Sequence, residues 1–143
     1  MTWIRNVSVL PARSGDRGRR TRTQGVEVIG DRTVRFHFSE GHTPGLMLAE
    51  IVGKGGHGGV VFCADLIPGR AWVHLPVTMG YDRYPERLID EKLDFLADKL
   101  ERDVRLFFTH DTECAMARVR RDDKGRYSTS DEAAELRGEP LPA

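Results

Sequence analysis

Along residues 25–38, GVEVIGDRTVRFHF, apolar side chains alternate with others: Val26 and Val28 come before Gly30 and Asp31, then Val34, Phe36 and Phe38 are separated by Arg35 and His37. A period of two broken by a Gly-Asp turn predicts a β-hairpin, and it sets His37 on the polar face. Two unbroken apolar runs follow, LMLAEIV (46–52) and VVFCADLI (60–67), joined by GKGGHGG (53–59). Their length and glycine-rich joint predict buried strands. RAWVHL (70–75) reads as a short extended piece and PVTMGYDRYP (76–85) as a run of turns. The period then changes. Leu88, Ile89, Leu93, Leu96 and Leu100 recur at spacings of three and four behind Pro85, which predicts one long amphipathic helix ending near Glu101. VRLFFTH (104–110) predicts a buried strand, and AMARVRRDDKGRYS (115–128) a hairpin turning at Asp123, Lys124 and Gly125. Ser130 is placed to cap a short helix over DEAAELR (131–137). The order of elements predicts an α/β chain of the α+β kind, a mixed β-sheet with helical cover on one face.

Composition narrows this picture. The chain has 143 residues, 22 basic and 22 acidic side chains and 39% hydrophobic residues, the profile of one ordinary soluble domain. The balance conceals a basic start: Arg5, Arg13, Arg17, Arg19, Arg20 and Arg22 are opposed only by Asp16. Residues 1–24 are therefore read as a basic arm and 25–143 as the folded part. The arm lacks interleaved aromatics and a helical period, which argues against a nucleic-acid partner. No run approaches the roughly 18 apolar residues of a membrane span, so no membrane partner is expected. Cys63 and Cys114 are the only cysteines, and with no secretory signal before them they predict free thiols in the cytoplasm.

The candidate chemistry lies at strand ends. His42 follows the strand ending at Phe38, Asp65 closes VVFCADLI, and His110 closes VRLFFTH. Strands ending on one edge of a sheet bring distant residues together, and two imidazoles with a carboxylate between them suit zinc or a related divalent ion at about 2.0–2.2 Å. GHTPG (41–45), ADLIP (64–68) and FFTHD (107–111), with MGYDRYPE and an amphipathic helix between the last two, resemble the later motifs of metallo-β-lactamase fold hydrolases. The resemblance runs over roughly residues 25–128. It implies an αββα sandwich and hydrolysis by a metal-activated water. It also implies a role for each residue: His42 as the third histidine of a first metal site, Asp65 as the catalytic carboxylate bridging two zinc ions, and His110 as the last ligand of a second site.

Such hydrolases also carry an upstream His-x-His-x-Asp-His segment. Here the five histidines are His37, His42, His57, His74 and His110, and no two are separated by a single residue. The chain thus resembles only the second half of that domain. The resulting expectation is an incomplete metallohydrolase acting on a small-molecule lactone, thioester, β-lactam or phosphoester. The rival is a non-catalytic half-domain that pairs with a missing N-terminal half, another chain or its own copy. Phe36, Phe38, Val60, Phe62, Leu106 and Phe108 would then line a sheet built for cover on both sides, leaving an apolar patch on a lone monomer.

His74, Tyr81 and Asp82 are candidates for the substrate side of the cleft. Asp111 reads as a partner that orients its neighbour or ends a strand, Cys63 as core, and His57 as an exposed loop residue. The glycine-rich loop has no Lys-Ser/Thr signature for phosphate, and no serine or cysteine nucleophile motif is present.

Overall fold

The computed structural model describes residues 22–138, so the expected basic arm lies, up to residue 21, outside the described residues. Seven strands form one sheet in sequence order: β1 (Arg22–Ile29), β2 (Arg32–Ser39), β3 (Leu46–Val52), β4 (Gly59–Phe62), β5 (Arg105–Phe107), β6 (Met116–Arg121) and β7 (Tyr127–Ala133). Neighbours are antiparallel except β4 and β5. Those two run parallel because the helix α1 (Pro85–Glu101) lies between them in sequence and carries the chain back. It follows that β2, β4 and β5 all point the same way. Their C-terminal ends open on one edge of the sheet.

α1 starts with Pro85 in its first turn, where the missing N–H costs nothing, and has Glu86 near its start and Lys99 near its end, both favourable to the helix dipole. The buried stripe is Leu88, Lys92, Phe95, Leu96 and Lys99. This corrects the sequence reading at Leu100, which is exposed, while Leu93 is partly buried against the core; two lysines stand in core positions. Leu88, Phe95 and Leu96 pack on Leu48, Val61, Leu106, Ala117 and Val119 of the sheet, closed at one side by Leu66, Ile67 and Val73. Each such side chain stabilises by about 1.5–3 kcal/mol. Among the described residues no helix is long and apolar enough to cross a membrane.

Other differences have local causes. RAWV (Arg70–Val73) is a turn of 3-10 helix instead of an extended piece. No helix forms over 131–137, because β7 pairs with β6 as far as Met116 opposite Ala133, and those ladder bonds hold the segment extended. β4 ends at Phe62, earlier than the apolar run suggests, since Ala64 turns the chain with φ 44°.

His37 is the clearest reversal. Its alternation with Phe36 and Phe38 predicted the solvent face, yet it is buried, edge-on to Phe95 at 5.7 Å between ring centres. The helix covers the face carrying His37, Ser39, Leu48, Glu50, Val61 and Leu106, and the polar members of that set pair with the helix. The phenylalanines point to the other face. There Phe38 lies opposite Met47, Phe36 opposite Ala49 and Phe62 opposite Phe107, and Met47 and Phe62 are exposed. Of the six residues expected on a doubly covered sheet, Leu106 and Phe108 are buried on the helix side, while Phe36, Phe38, Val60 and Phe62 share the open side.

Candidate functional site

His42 lies three residues past β2, in a loop that is fastened to α1. The Glu91 carboxylate accepts hydrogen bonds from Ser39 Oγ (2.6 Å) and from the backbone N–H groups of Glu40 and Gly41 (both 3.1 Å). In return, the Tyr84 and Arg83 N–H groups donate to the carbonyls of Gly41 (2.8 Å) and His42 (3.0 Å). The loop lies so close on the helix that a Cβ at Gly41 would stand 2.5 Å from Leu88 Cα. Only glycine permits that approach.

From this seat the His42 ring reaches two carboxylates. Nδ1 is 2.8 Å from Asp82 Oδ1 and Nε2 is 3.3 Å from Asp65 Oδ2. The Asp82 side chain is fully buried, and its other oxygen accepts the Met79 N–H at 2.6 Å. A carboxylate so placed accepts a hydrogen bond from Nδ1–H and fixes the ring with Nε2 facing Asp65. The other oxygen of Asp65 is 3.0 Å from His110 Nε2. Asp65 thus stands between the two imidazoles, with His42 nearly buried and His110 largely open to solvent. Tyr81 lies edge-on to His42 at 6.0 Å and is otherwise exposed. His74 is exposed too, and what the structure uses is its carbonyl, which accepts from Lys92 Nζ at 3.3 Å.

A second clamp fixes the loops of Asp65 and His110 against each other. The His110 N–H donates to the Pro68 carbonyl at 2.9 Å. One residue on, both oxygens of Asp111 accept from the Arg70 guanidinium at 2.9 and 3.1 Å, and the Arg70 N–H adds a third bond at 3.0 Å. Glu113 and Glu132 complete the ring of acceptors around Arg70. The Arg70 bonds, with smaller help from backbone N–H groups, hold the Asp111 carboxyl well below the usual range. Replacing Arg70 by methionine is expected to free the His110 loop, read as faster hydrogen exchange of the His110 amide. Unchanged protection would show that the Pro68 carbonyl suffices alone. A cleft of about 520 Å³, lined by Arg70, Trp72, His110, Asp111, Thr112 and Glu132, opens beside His110, a size suited to a small molecule.

The donor set fits a zinc-type ion in kind: two imidazole nitrogens and a carboxylate, one ring already braced at its far nitrogen. It falls short in number. Among the described residues no three His, Cys, Asp or Glu side chains are placed to hold a metal ion.

No family model and no curated protein matches the chain. Solved structures do. A probable metal-dependent hydrolase from Staphylococcus aureus is 22% identical over 68% of this chain and 35% of its own, with a TM-score of 0.57. AidC, a dizinc quorum-quenching lactonase, is 18% identical over 77% and 37%, with a TM-score of 0.60. AbOPH, a hydrolase in the β-lactamase superfamily, is 20% identical over 72% and 35%, with a TM-score of 0.57. The matched part shares its fold with these three structures. The chain spans little more than a third of the length of each of these structures.

Sequence reasoning did not find Glu91, Arg70 or Lys92, which hold the site's loops. Lys92 alone left a trace, a charge on the apolar stripe of α1. Glu91 stands between Asp90 and Lys92, and Arg70 follows a Pro-Gly pair; only tertiary contact distinguishes them.

Proposed function

We propose that this chain is the part of a metal-dependent hydrolase that supplies His42, Asp65 and His110 to a zinc-type centre, with the remaining ligands provided by polypeptide outside these 143 residues. The observation that carries this reading is the Asp65 carboxylate standing between the Nε2 atoms of His42 and His110 at the C-terminal ends of strands that share one direction. When bound there, a zinc-type ion acidifies a water molecule and polarises a carbonyl or phosphoryl oxygen. The chain's own residues do the rest. Asp82 holds the His42 tautomer, the Arg70 clamp holds His110, and the cleft beside His110 receives a small molecule with a lactone, thioester, β-lactam or phosphoester group. The two cysteines are free and buried, and burial pushes the Cys63 thiol far up, in keeping with a reducing compartment such as the cytoplasm.

The second reading, a non-catalytic half-domain covered by a complementary half or by its own copy, draws on the open sheet face with Met47 and Phe62 exposed. The two are separated by titrating the chain with zinc and repeating the titration with His42→Ala. A metallohydrolase part binds zinc through its three ligands, and the substitution weakens binding by more than the roughly 10–100-fold that loss of a supporting hydrogen bond costs. Sub-stoichiometric zinc that His42→Ala leaves unchanged would leave the half-domain reading standing.

A further inference from the structure

Lys92 is fully buried on the core stripe of α1, where a lysine is among the least expected side chains. Its three ammonium hydrogens match three acceptors: the carbonyl oxygens of Val77 (2.7 Å), Trp72 (2.8 Å) and His74 (3.3 Å). These belong to the segment that runs from the 3-10 turn at Arg70–Val73 to Asp82, and the same segment has few regular backbone bonds of its own. It ends where the Met79 N–H and His42 Nδ1 share the two oxygens of the buried Asp82 carboxylate.

We propose that Lys92 is a positioning residue for the histidine–carboxylate site: its ammonium gathers the carbonyls of residues 72, 74 and 77 and so delivers Asp82 to His42 Nδ1. The charge matters as well as the hydrogens. The Asp82 carboxylate is buried, and its charge favours the cationic form of buried Lys92. Burial presses the Lys92 pKa down to about 8, with Asp82 opposing, so the side chain remains a cation at neutral pH. An apolar side chain at position 92 would take the ammonium donor from the Trp72 and Val77 carbonyls, costly in a dry interior, and leave the His74 carbonyl only the Val77 N–H. The importance of this for metal binding rests on the reading of His42 as a ligand, but the geometry itself can be tested without metal.

The experiment is nitrogen-resolved NMR of the imidazoles in the 143-residue chain at neutral pH, for wild type and for Lys92→Met. In wild type His42 is expected to show a slowly exchanging Nδ1 proton held by Asp82. In Lys92→Met that proton is expected to exchange rapidly and its signal to be lost, while His37, held by Glu50 and by Lys99 further along α1, keeps its own signals and reports an intact fold. A His42 signature identical to wild type, with His37 also unchanged, overturns the proposal. Should Lys92→Met lose the His37 signals too, the wild-type ammonium decides. Slowly exchanging Nζ protons coupled to the carbonyl carbons of Trp72, His74 and Val77 support the positioning role, and freely exchanging ones overturn it. Zinc is absent throughout, so failure here is distinct from failure of the zinc titration.

Discussion

Glu50→Ala is expected to lower the melting temperature by about 10–15 °C, on the scale of roughly 3–5 kcal/mol for breaking a buried ion pair and about 2–4 °C per kcal/mol in a chain of this size. Glu50 is fully buried between the sheet and α1. Its carboxylate accepts from His37 Nε2 (2.7 Å), Lys99 Nζ (2.5 Å) and the two ends of the Arg102 guanidinium (2.6 and 2.9 Å). Alanine would leave the Lys99 cation buried with one carboxylate, Asp98, which is partly exposed. Glu50→Gln, which keeps the shape and an acceptor oxygen, is expected to cost less than Glu50→Ala. Thermal and denaturant unfolding of both variants checks the order, and a loss below about 1 kcal/mol for Glu50→Ala would mean that water replaces the carboxylate.

Acid acts on the same group of residues. Burial works to raise the pKa of Glu50 and of Asp98, but hydrogen bonds from His37, Arg102 and Lys99 hold Glu50 well below its ordinary value, and bonds from Arg102 and Lys99 bring Asp98 to about 2. Carboxylates depressed in this way stabilise the fold above their unfolded values, and that stabilisation is lost as pH falls through the folded ones. His37 is pushed below 6.5, chiefly by burial, so on acidification the unfolded chain takes up that proton first. Both signs agree. Stability is expected to fall as pH drops below about 6.5, in the range where histidine titrates, and to fall further once the carboxylates take up protons.

Gly41→Ala is expected to displace the His42 loop from α1, with a stability loss of about 1–3 kcal/mol as for an overpacked core and a larger effect on the site. The added Cβ meets Leu88 Cα, N and Cβ at 2.5–2.7 Å. Two of those are backbone atoms of a helix, which cannot swing aside as a side chain would. The loop must lift instead, and with it go the bonds of Glu40 and Gly41 to Glu91 and the placing of His42 between Asp65 and Asp82. Denaturant unfolding together with the His42 imidazole spectrum gives the measurement. Wild-type His42 signals in Gly41→Ala would show that the helix start yields in place of the loop.

Strand and helix positions were largely legible because they follow from local period. The β1–β2 hairpin, α1 from Pro85, and the turn before β7 with Gly125 at φ 79° all lie where alternation, spacing and turn residues set them. The faces were less legible. Alternation says that His37 and Phe36 point opposite ways, and nothing local says which way the helix lies. Simple polarity sent the phenylalanines inward. The structure buries His37 and Glu50 because Lys99 and Arg102 neutralise and bond them, and that depends on partners 49 to 62 residues away.

The candidate site divides in the same manner. Residue type and strand-end position singled out His42, Asp65 and His110, since a histidine or aspartate just past an apolar run is visible in the sequence itself. Their distances from one another, the loop held on α1 by Glu91, the Arg70 clamp and the Lys92 cation under residues 72–77 were decided by tertiary structure alone. The sequence by itself determined the period of each element and the chemistry at the strand ends. Which charges could be buried, and therefore which face of the sheet the helix covers, followed from pairings between distant residues, because a charge leaves water only where a partner already waits for it.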